Sequence, residues 1–377
     1  MSEKTRYASV GEISYERSER IDSPSTSEIK RFVGLEHFDQ GNLDIVRFGS
    51  CVDLGSTMKK CVAGDTLIAR RNVYLNRASR CNFDALCSGD AIVLRENECV
   101  VPGFLSILFN SDSFWKFASS NADGTMSKRL SVSHLKSYEF CLPSVENQKK
   151  FVDLIWKLEN LKTKLVMELE NLNLLIKSQF IEMFGDVVFN PMCWPTKEIS
   201  KVAPSTNGEN TSDEEHNWLL NLDAIEANTG IVLFKNYVSS EELSGSIISF
   251  SEDHVLYSKL RPYLNKVVMP DESGFGTSEL IPLLPDVSIL NRTYLARALM
   301  SDTFVQKFTS AVAGTKMPRV LMDTFRKFLL PLPPIDLQIQ FADFVKQVDK
   351  SKFELQQHID NTKKLQKTII NSIFQEP

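Results

Sequence analysis

Residues 144 to 185 read SVENQKKFVDLIWKLENLKTKLVMELENLNLLIKSQFIEMFG, a stretch without proline. Its apolar side chains Phe151, Leu154, Leu158, Leu161, Leu165, Leu172 and Leu175 recur in steps of three and four, which predicts a narrow apolar seam on one side of a helix. About 38 helical residues would make a rod of ~55 Å, too long for one ordinary domain to cover and suited to a coiled coil. The chain offers a partner at its other end. Between Ile335 and Phe374, the residues Phe341, Phe344, Val345, Val348, Leu355, Ile359, Leu365, Ile369 and Ile373 follow similar steps. Two long helices, 144–185 and 334–377, therefore separate and follow two blocks of comparable size, 1–143 and 186–333.

Both blocks have mixed α/β character. The first has strand-like runs broken by Gly and Asp, "RFVGLEHFD", "NLDIVRFG", "DTLIARRNVYLNRA" and "DAIVLREN", then a helical "VPGFLSILFNSDSFWKFASS" and a returning strand in "HLKSYEFCLP". The second repeats that order with "NWLLNLDAI", "GIVLFK", "HVLYSKLRPYLNKVVM" and "SELIPLL", the helical "LNRTYLARALMSDTFVQKFTSAV" and the strand "FRKFLLPLP". The 42% hydrophobic and 24% charged content is that of globular protein. No apolar run approaches the length of a membrane span and the polar N-terminus lacks signal-peptide order, so the expectation is a cytoplasmic protein. Seven cysteines without a Cys-x-x-Cys pair and five scattered histidines predict free thiols and no metal site.

The repetition can be followed letter by letter. A shift of 189 lays Tyr74-Leu75-Asn76 on Tyr263-Leu264-Asn265, and a shift of 190 lays Ser111-Asp112-Ser113-Phe114 on Ser301-Asp302-Thr303-Phe304. The same 190 superposes Gly124-Thr125 and Arg129 on Gly314-Thr315 and Arg319, Leu142-Pro143 on Leu332-Pro333, and Gln148 with Phe151 on Gln338 with Phe341. Near the helix ends Ser178 and Phe180 match Ser372 and Phe374 at a shift of 194, so the second helix is about one turn longer. The period is far too long for a solenoid; it marks a tandem duplication of one domain-plus-helix unit. Two copies on an antiparallel helical pair imply an approximate twofold axis within one chain. Dimeric DNA readers use such symmetry to place equivalent elements about 34 Å apart. Because the two copies differ in sequence, the implied target is split and asymmetric.

The order of variable block, long helix, variable block, long helix resembles the specificity subunit of type I restriction-modification systems. The marks that carry the resemblance are "FVGLEHFD" at 32–39, the paired "GTMSKR" and "GTKMPR", the paired "LPSVENQKKF" and "LPPIDLQIQF", and "FGDVVFNPMCWP" at 184–195. The resemblance covers essentially the whole chain. It implies two target recognition domains, 1–143 and 186–333, each reading half of a bipartite double-stranded DNA sequence. It also implies that the helices set the gap and hold two methyltransferase subunits, to which restriction subunits can be added. On this view the chain is not an enzyme, and S-adenosylmethionine, ATP and magnesium belong to the partner subunits.

Charge qualifies the picture. Residues 1–143 hold 18 Lys or Arg against 18 Asp or Glu, and residues 185–333 hold 13 against 18. A free-standing DNA binder is usually basic, since phosphate neutralisation supplies most of its affinity. The isolated chain is therefore expected to bind weakly, with partners supplying much of the backbone contact. Three clusters are candidates for DNA contact. The first is Arg70, Arg71, Asn72, Tyr74, Asn76, Arg77 and Arg80, matched by Lys259, Arg261, Tyr263, Asn265 and Lys266, since Arg pairs with guanine and Asn with adenine in the major groove. The second is the glycine-led loop Thr125, Ser127, Lys128 and Arg129, matched by Thr315, Lys316 and Arg319. The third is the polar tip Asn207 to Asn217, whose consecutive acids argue against phosphate contact. The aromatics Phe114, Trp115, Phe117, Phe304 and Phe308 read as core. Trp156 lies off the seam, facing either a recognition domain or a partner.

A catalytic reading finds little support. "NPMCWP" at 190–195 shares only two letters with the Asn-Pro-Pro-aromatic motif of adenine methyltransferases, and no glycine-rich cofactor loop or phosphate loop for ATP is present. A coiled-coil adaptor without DNA specificity is the remaining alternative, which the paired basic loops argue against.

Overall fold

A computed structural model of the chain describes residues 6–374 except 126, 210–212, 215, 244, 311 and 314–316. Helices span Val145–Phe184 and Ile335–Ile373. The first starts where Ser144 follows Pro143: the Ser144 hydroxyl accepts from the Asn147 N–H at 3.4 Å, and the Gln148 N–H donates to the Ser144 carbonyl at 2.8 Å. It ends at Gly185, whose φ of +73° is the left-handed conformation that closes helices and that a side chain resists.

Two compact units emerge, and neither coincides with a block of sequence. Unit 1 comprises Met1–Glu168 with Leu355–Pro377, and unit 2 comprises Leu169–Glu354. Each takes one α/β block together with one end of both long helices.

In unit 1, an antiparallel sheet orders Ser14–Glu16, Ala91–Glu96, Thr66–Ala69 and Ala78–Arg80. A second sheet orders Arg20–Ile21, Met58–Cys61, Ala85–Cys87, Arg31–Val33 and Gly49–Ser50, with a parallel step between Arg31–Val33 and Ala85–Cys87. Strand Arg6–Ser9 pairs with the returning Glu139–Leu142. Three helices, Phe104–Leu108, Asp112–Ser120 and Val132–Lys136, complete the block. The run "NLDIVRFG" is not the strand its pattern predicts: the Ile45 N–H donates to the Arg80 carbonyl and the Arg80 N–H to that of Leu43, a single bridge between edge segments.

Unit 2 is built alike. Its sheets order Tyr237–Val238, Asn217–Leu220, Gly274–Thr277 and Ile247–Phe250, and Val267–Val268, Val255–Ser258 and Leu280–Leu283. Strand Thr196–Glu198 pairs with Leu329–Pro331, and the helices include Ile199–Val202, Arg292–Leu299, Asp302–Ser310 and Met322–Arg326.

The long helices are anchored in the same way in both units. In unit 1, Phe104, Phe140, Phe151 and Phe374 form an aromatic cluster with centroids 5.7–6.1 Å apart. In unit 2, Phe180, Phe184, Tyr294 and Phe341 do so at 4.9–5.5 Å. Beside each cluster a buried glutamine satisfies loop backbone. Gln148 Oε1 accepts from the Val101 N–H at 3.1 Å while its amide donates to the Pro143 carbonyl at 2.9 Å. Gln338 Oε1 accepts from the Asn291 N–H at 2.8 Å, and its amide donates to Pro333 at 2.8 Å and Ile289 at 3.1 Å.

The seam needs correction. Leu154, Leu161 and Leu175 are 45%, 46% and 45% exposed, and Leu365 is 50% exposed. The buried line on the first helix runs instead through Gln148, Val152, Ile155, Glu159 and Lys162, continuing at Ile176 and Phe180. On the second it runs through Gln338, Phe341, Val345, Val348, Ile359, Thr362, Gln366 and Ile370. Phe151, Leu158, Leu165, Leu172, Phe344, Leu355 and Ile369 are half-buried. Steps of three and four hold, but polar residues occupy several inward positions and leucines flank them.

All seven cysteines are free thiols, four of them buried. Among the described residues no helix is long and apolar enough to cross a membrane.

Replacing Gln338 by Ala strands an N–H and two carbonyls in the interior, so it should destabilise the chain by about 2–3 kcal/mol. The exposed Gln340→Ala on the same helix should stay within about 0.5 kcal/mol. Urea midpoints of the two variants compare them directly.

Candidate nucleic-acid interface

In each unit a strand runs into a turn whose backbone is set by left-handed residues. After Thr66–Ala69, Asn72 has φ 55° and Asn76 φ 48°, bracketing one 3-10 turn, Val73–Leu75. Asn tolerates this conformation because its short polar side chain bonds locally. Val73 is buried and acts as the anchor, which leaves Tyr74 at the apex, 67% exposed. In unit 2 the turn is Pro262–Leu264, bracketed by Arg261 at φ 50° and Asn265 at φ 47°. Pro262 is the buried anchor and Tyr263 the exposed apex, 48% exposed. Arg261 lacks the local bonding of Asn, and the proline that follows restricts its backbone further, so this turn carries more backbone strain.

The two clusters that stand 50 residues apart in sequence form one surface. In unit 1 the Asn72 N–H donates to the Lys128 carbonyl at 3.0 Å and the Leu130 N–H to that of Arg70 at 2.9 Å. Arg71 Nε donates to Ser127 Oγ at 3.0 Å, and that hydroxyl donates to Asn72 Oδ1 at 3.1 Å. In unit 2 the Arg261 N–H donates to the Pro318 carbonyl at 2.8 Å and the Val320 N–H to that of Lys259 at 2.9 Å. Thr315 and Lys316 lie outside the described residues. Gly124, at φ 102°, makes the bend that lets Asp123 and Arg129 exchange backbone hydrogen bonds at 2.8 and 2.9 Å.

One acid per unit stands behind this surface, and the cationic pattern did not point to either. Asp90 lies 3.6 Å from Arg71 and 3.7 Å from Arg129. Its counterpart at the shift of 189 is Glu279, which takes Arg319 through Nε and Nη2 at 2.8–3.2 Å. The correspondence extends to the backbone: the Arg70 N–H donates to the Asp90 carbonyl and the Lys259 N–H to that of Glu279, both at 3.0 Å. The Arg319 hydrogen bond holds the Glu279 carboxyl below the ordinary carboxylate range.

Other candidates are engaged elsewhere. Arg80 pairs with Asp44 at 3.0 Å, and its guanidinium lies 3.8 Å from the ring centroid of Trp156, so Trp156 faces its own unit's α/β block. Burial pushes the Asp44 carboxyl up, with Arg80 opposing. Arg77 donates to the Leu35 carbonyl at 2.9 Å, and Lys266 to that of Leu222 at 2.6 Å. Asn265 is a correction: it is 5% exposed and its amide donates to the Met300 carbonyl at 3.0 Å, which removes it from any base edge. In the tip 207–217, Asn217 is buried and its side chain bonds Asp213 on both backbone groups, while 210–212 and 215 lie outside the described residues. The exposed set that the fold gathers is therefore Arg71, Tyr74, Thr125, Lys128 and Arg129 in unit 1, and Arg261, Tyr263 and Arg319 in unit 2.

Residues 191–364 match the family model of the type I restriction modification DNA specificity domain. That match covers under half of the chain, and it makes residues 191–364 similar to a type I restriction modification DNA specificity domain. The specificity subunit of the type I restriction enzyme EcoDI from Escherichia coli is 23% identical over 137 residues, 36% of this chain and 30% of that protein. The chain thus matches under a third of the length of that curated relative. The S subunit of a type I restriction-modification system from M. genitalium has the same fold, with a TM-score of 0.55 at 11% identity over 100% of this chain and 98% of that one. A chain solved in work on complex assembly and conformational transition of the type I R-M system gives 0.55 at 18% identity, over 99% and 98%. These last likenesses bear on fold alone.

Because its folded value is depressed, Glu279 contributes stability that is complete above the unfolded carboxylate value near ~4.3 and is lost as pH falls through the folded value. Glu279→Gln should therefore melt below the native chain at pH 7, by a small margin since Arg319 faces solvent, and the two should converge as the pH is lowered from about 4.5 to 3. Thermal melts across that range measure the difference.

Proposed function

We propose that the chain gives DNA sequence specificity to a type I restriction-modification complex. Residues 1–143 and 186–333 act as target recognition domains for the two halves of a bipartite, asymmetric site, and 144–185 and 334–377 act as the spacer. The observation that carries this reading is the duplicated construction: a tyrosine-tipped turn locked by left-handed residues, tied by backbone bonds to an arginine-bearing loop that an acid holds from behind. Arginine and tyrosine on a preorganised support suit base edges and phosphates.

On this reading the long helices pair as an antiparallel coiled coil about a pseudo-twofold axis. Two methyltransferase subunits dock on the leucines that the helices leave exposed, Leu154, Leu161, Leu174, Leu175 and Leu365. Exposed apolar stripes of this kind mark protein contacts. The chain is not itself catalytic. S-adenosylmethionine, ATP and magnesium are used by the methyltransferase and restriction subunits, and the complex works in the cytoplasm. The net charge of −5 supports a division of labour in which those partners supply most of the phosphate contact.

In the assembled methyltransferase, Arg129→Ala should cost about 1–3 kcal/mol of binding and relax one half-site only, if the side chain reads a base. If it holds a phosphate, binding should weaken alike on all sequences and the salt slope should fall by about one. Arg319→Ala should do the same at the other half-site. Mapping methylated adenines in host DNA with each variant tests this, and loss of both halves together from one substitution would overturn the assignment.

A further inference from the structure

Glu159 and Lys162 sit on the buried line of the first long helix, where the heptad pattern asks for apolar residues. Their side chains are 6% and 5% exposed, and they pair at 2.7 Å. The pair is not self-contained. Glu159 Oε1 accepts from the Leu43 N–H at 3.2 Å, and Oε2 accepts from the Gln366 amide on the second long helix at 2.9 Å. Lys162 also donates to Asn42 Oδ1 at 3.0 Å. Three separate pieces of unit 1 thus meet on one buried carboxylate: the first helix, the C-terminal segment of the second, and the segment Asn42–Leu43 of the α/β block.

The neighbours of this cluster are permissive. On the second helix the positions either side of Gln366 along the buried line are Thr362 and Ile370, and on the first helix Ile155 precedes Glu159. Aliphatic side chains one turn apart replace each other in a seam with little penalty, so an apolar seam alone leaves the helices free to slide by a turn. A slide here would set Ile370, or Thr362 whose hydroxyl is committed to the His358 carbonyl at 2.7 Å, against Glu159 and leave a buried carboxylate short of a donor. Buried polar groups whose partners lie on the facing helix specify register in this way, at some expense in stability. A pair recurs in unit 2 at the shift of 190, Asp349 with Lys352 at 3.1 Å, but there the Asp349 side chain is 44% exposed. The sealed version belongs to unit 1.

We propose that Glu159, Lys162 and Gln366 form a register lock that fixes the two long helices against each other in unit 1 and docks the α/β block on them, so that these positioning residues help to set the gap between DNA half-sites. The last clause rests on the function proposed above, and the first does not.

The full-length chain, carrying genetically encoded spin labels in place of the exposed Lys149 and Lys363, which lie far apart along the helix axes so that a slide changes their separation, gives a test by electron–electron distance measurement. The native chain should show one distance. In Glu159→Leu, Lys162→Leu, Gln366→Leu together, a second distance should appear, displaced by about 5 Å for a slip of one turn. Gln366→Leu alone, which leaves Glu159 and Lys162 paired, should show the same second distance at smaller amplitude, and it decides the matter if the triple variant does not fold. A single, native distance in the variants would overturn the lock. With methyltransferase subunits added, methylation mapping should reveal a second gap length in the triple variant. A second distance with an unchanged gap would uphold the lock and refute the spacer reading.

Discussion

A helix of forty residues presents more apolar surface than a single domain of about 140 residues has reason to cover, and this constraint shapes the rest of the chain. Each long helix begins in one compact unit and ends in the other, so each unit must be assembled from residues far apart in sequence. The solution is the same twice: an aromatic cluster that draws rings from the ends of both helices and from the α/β block, with a buried glutamine alongside. Rings supply the burial, at about 25 cal/mol per Å² of apolar surface. Gln148 and Gln338 do what rings cannot, satisfying loop backbone groups that the helix covers.

Much of this was legible in the letters. The duplication, the two long helices and their residue ranges follow from composition, periodicity and matched spacing, because those signals depend on one side chain at a time. What was not legible depends on pairs. Leu158 and Leu161 look like seam positions and Glu159 and Lys162 like surface, since nothing in a single helix reveals that a carboxylate, an ammonium and a distant amide satisfy one another. Asn265 looked like a base reader because its neighbours are cationic, whereas the left-handed turn rotates its amide toward the Met300 carbonyl. Asp90 and Glu279 were missed because attention to cations passes over the acid behind them. The shift of 189 aligned the two and was the available signal.

Those acids change how the cationic surface works. An arginine on a loop is mobile and pays for its ordering when it binds, whereas Arg319, hydrogen-bonded to Glu279, has its fork aimed beforehand. A phosphate or base that takes over the guanidinium must compete with the carboxylate, which lowers affinity for any ligand that meets it only as a charge. An acidic chain with few basic residues to spare gains from that arrangement if bulk attraction to DNA comes from its partners.

The misplaced seam and the buried ion pair are two sides of one fact. Heptad positions facing inward at the Asn42–Leu43 contact are polar, and leucines that the sequence could have placed there lie one residue away, half in solvent. Exchanging the two sets would give a drier seam without altering helix propensity, since Leu, Glu, Lys and Gln are all good helix formers, but it would strand the Leu43 N–H that Glu159 satisfies. The present arrangement gives up that apolar burial. It makes sense only if register in unit 1 matters more than its depth of burial, and if the displaced leucines are covered by something outside the chain. The spacer proposed above would supply both conditions.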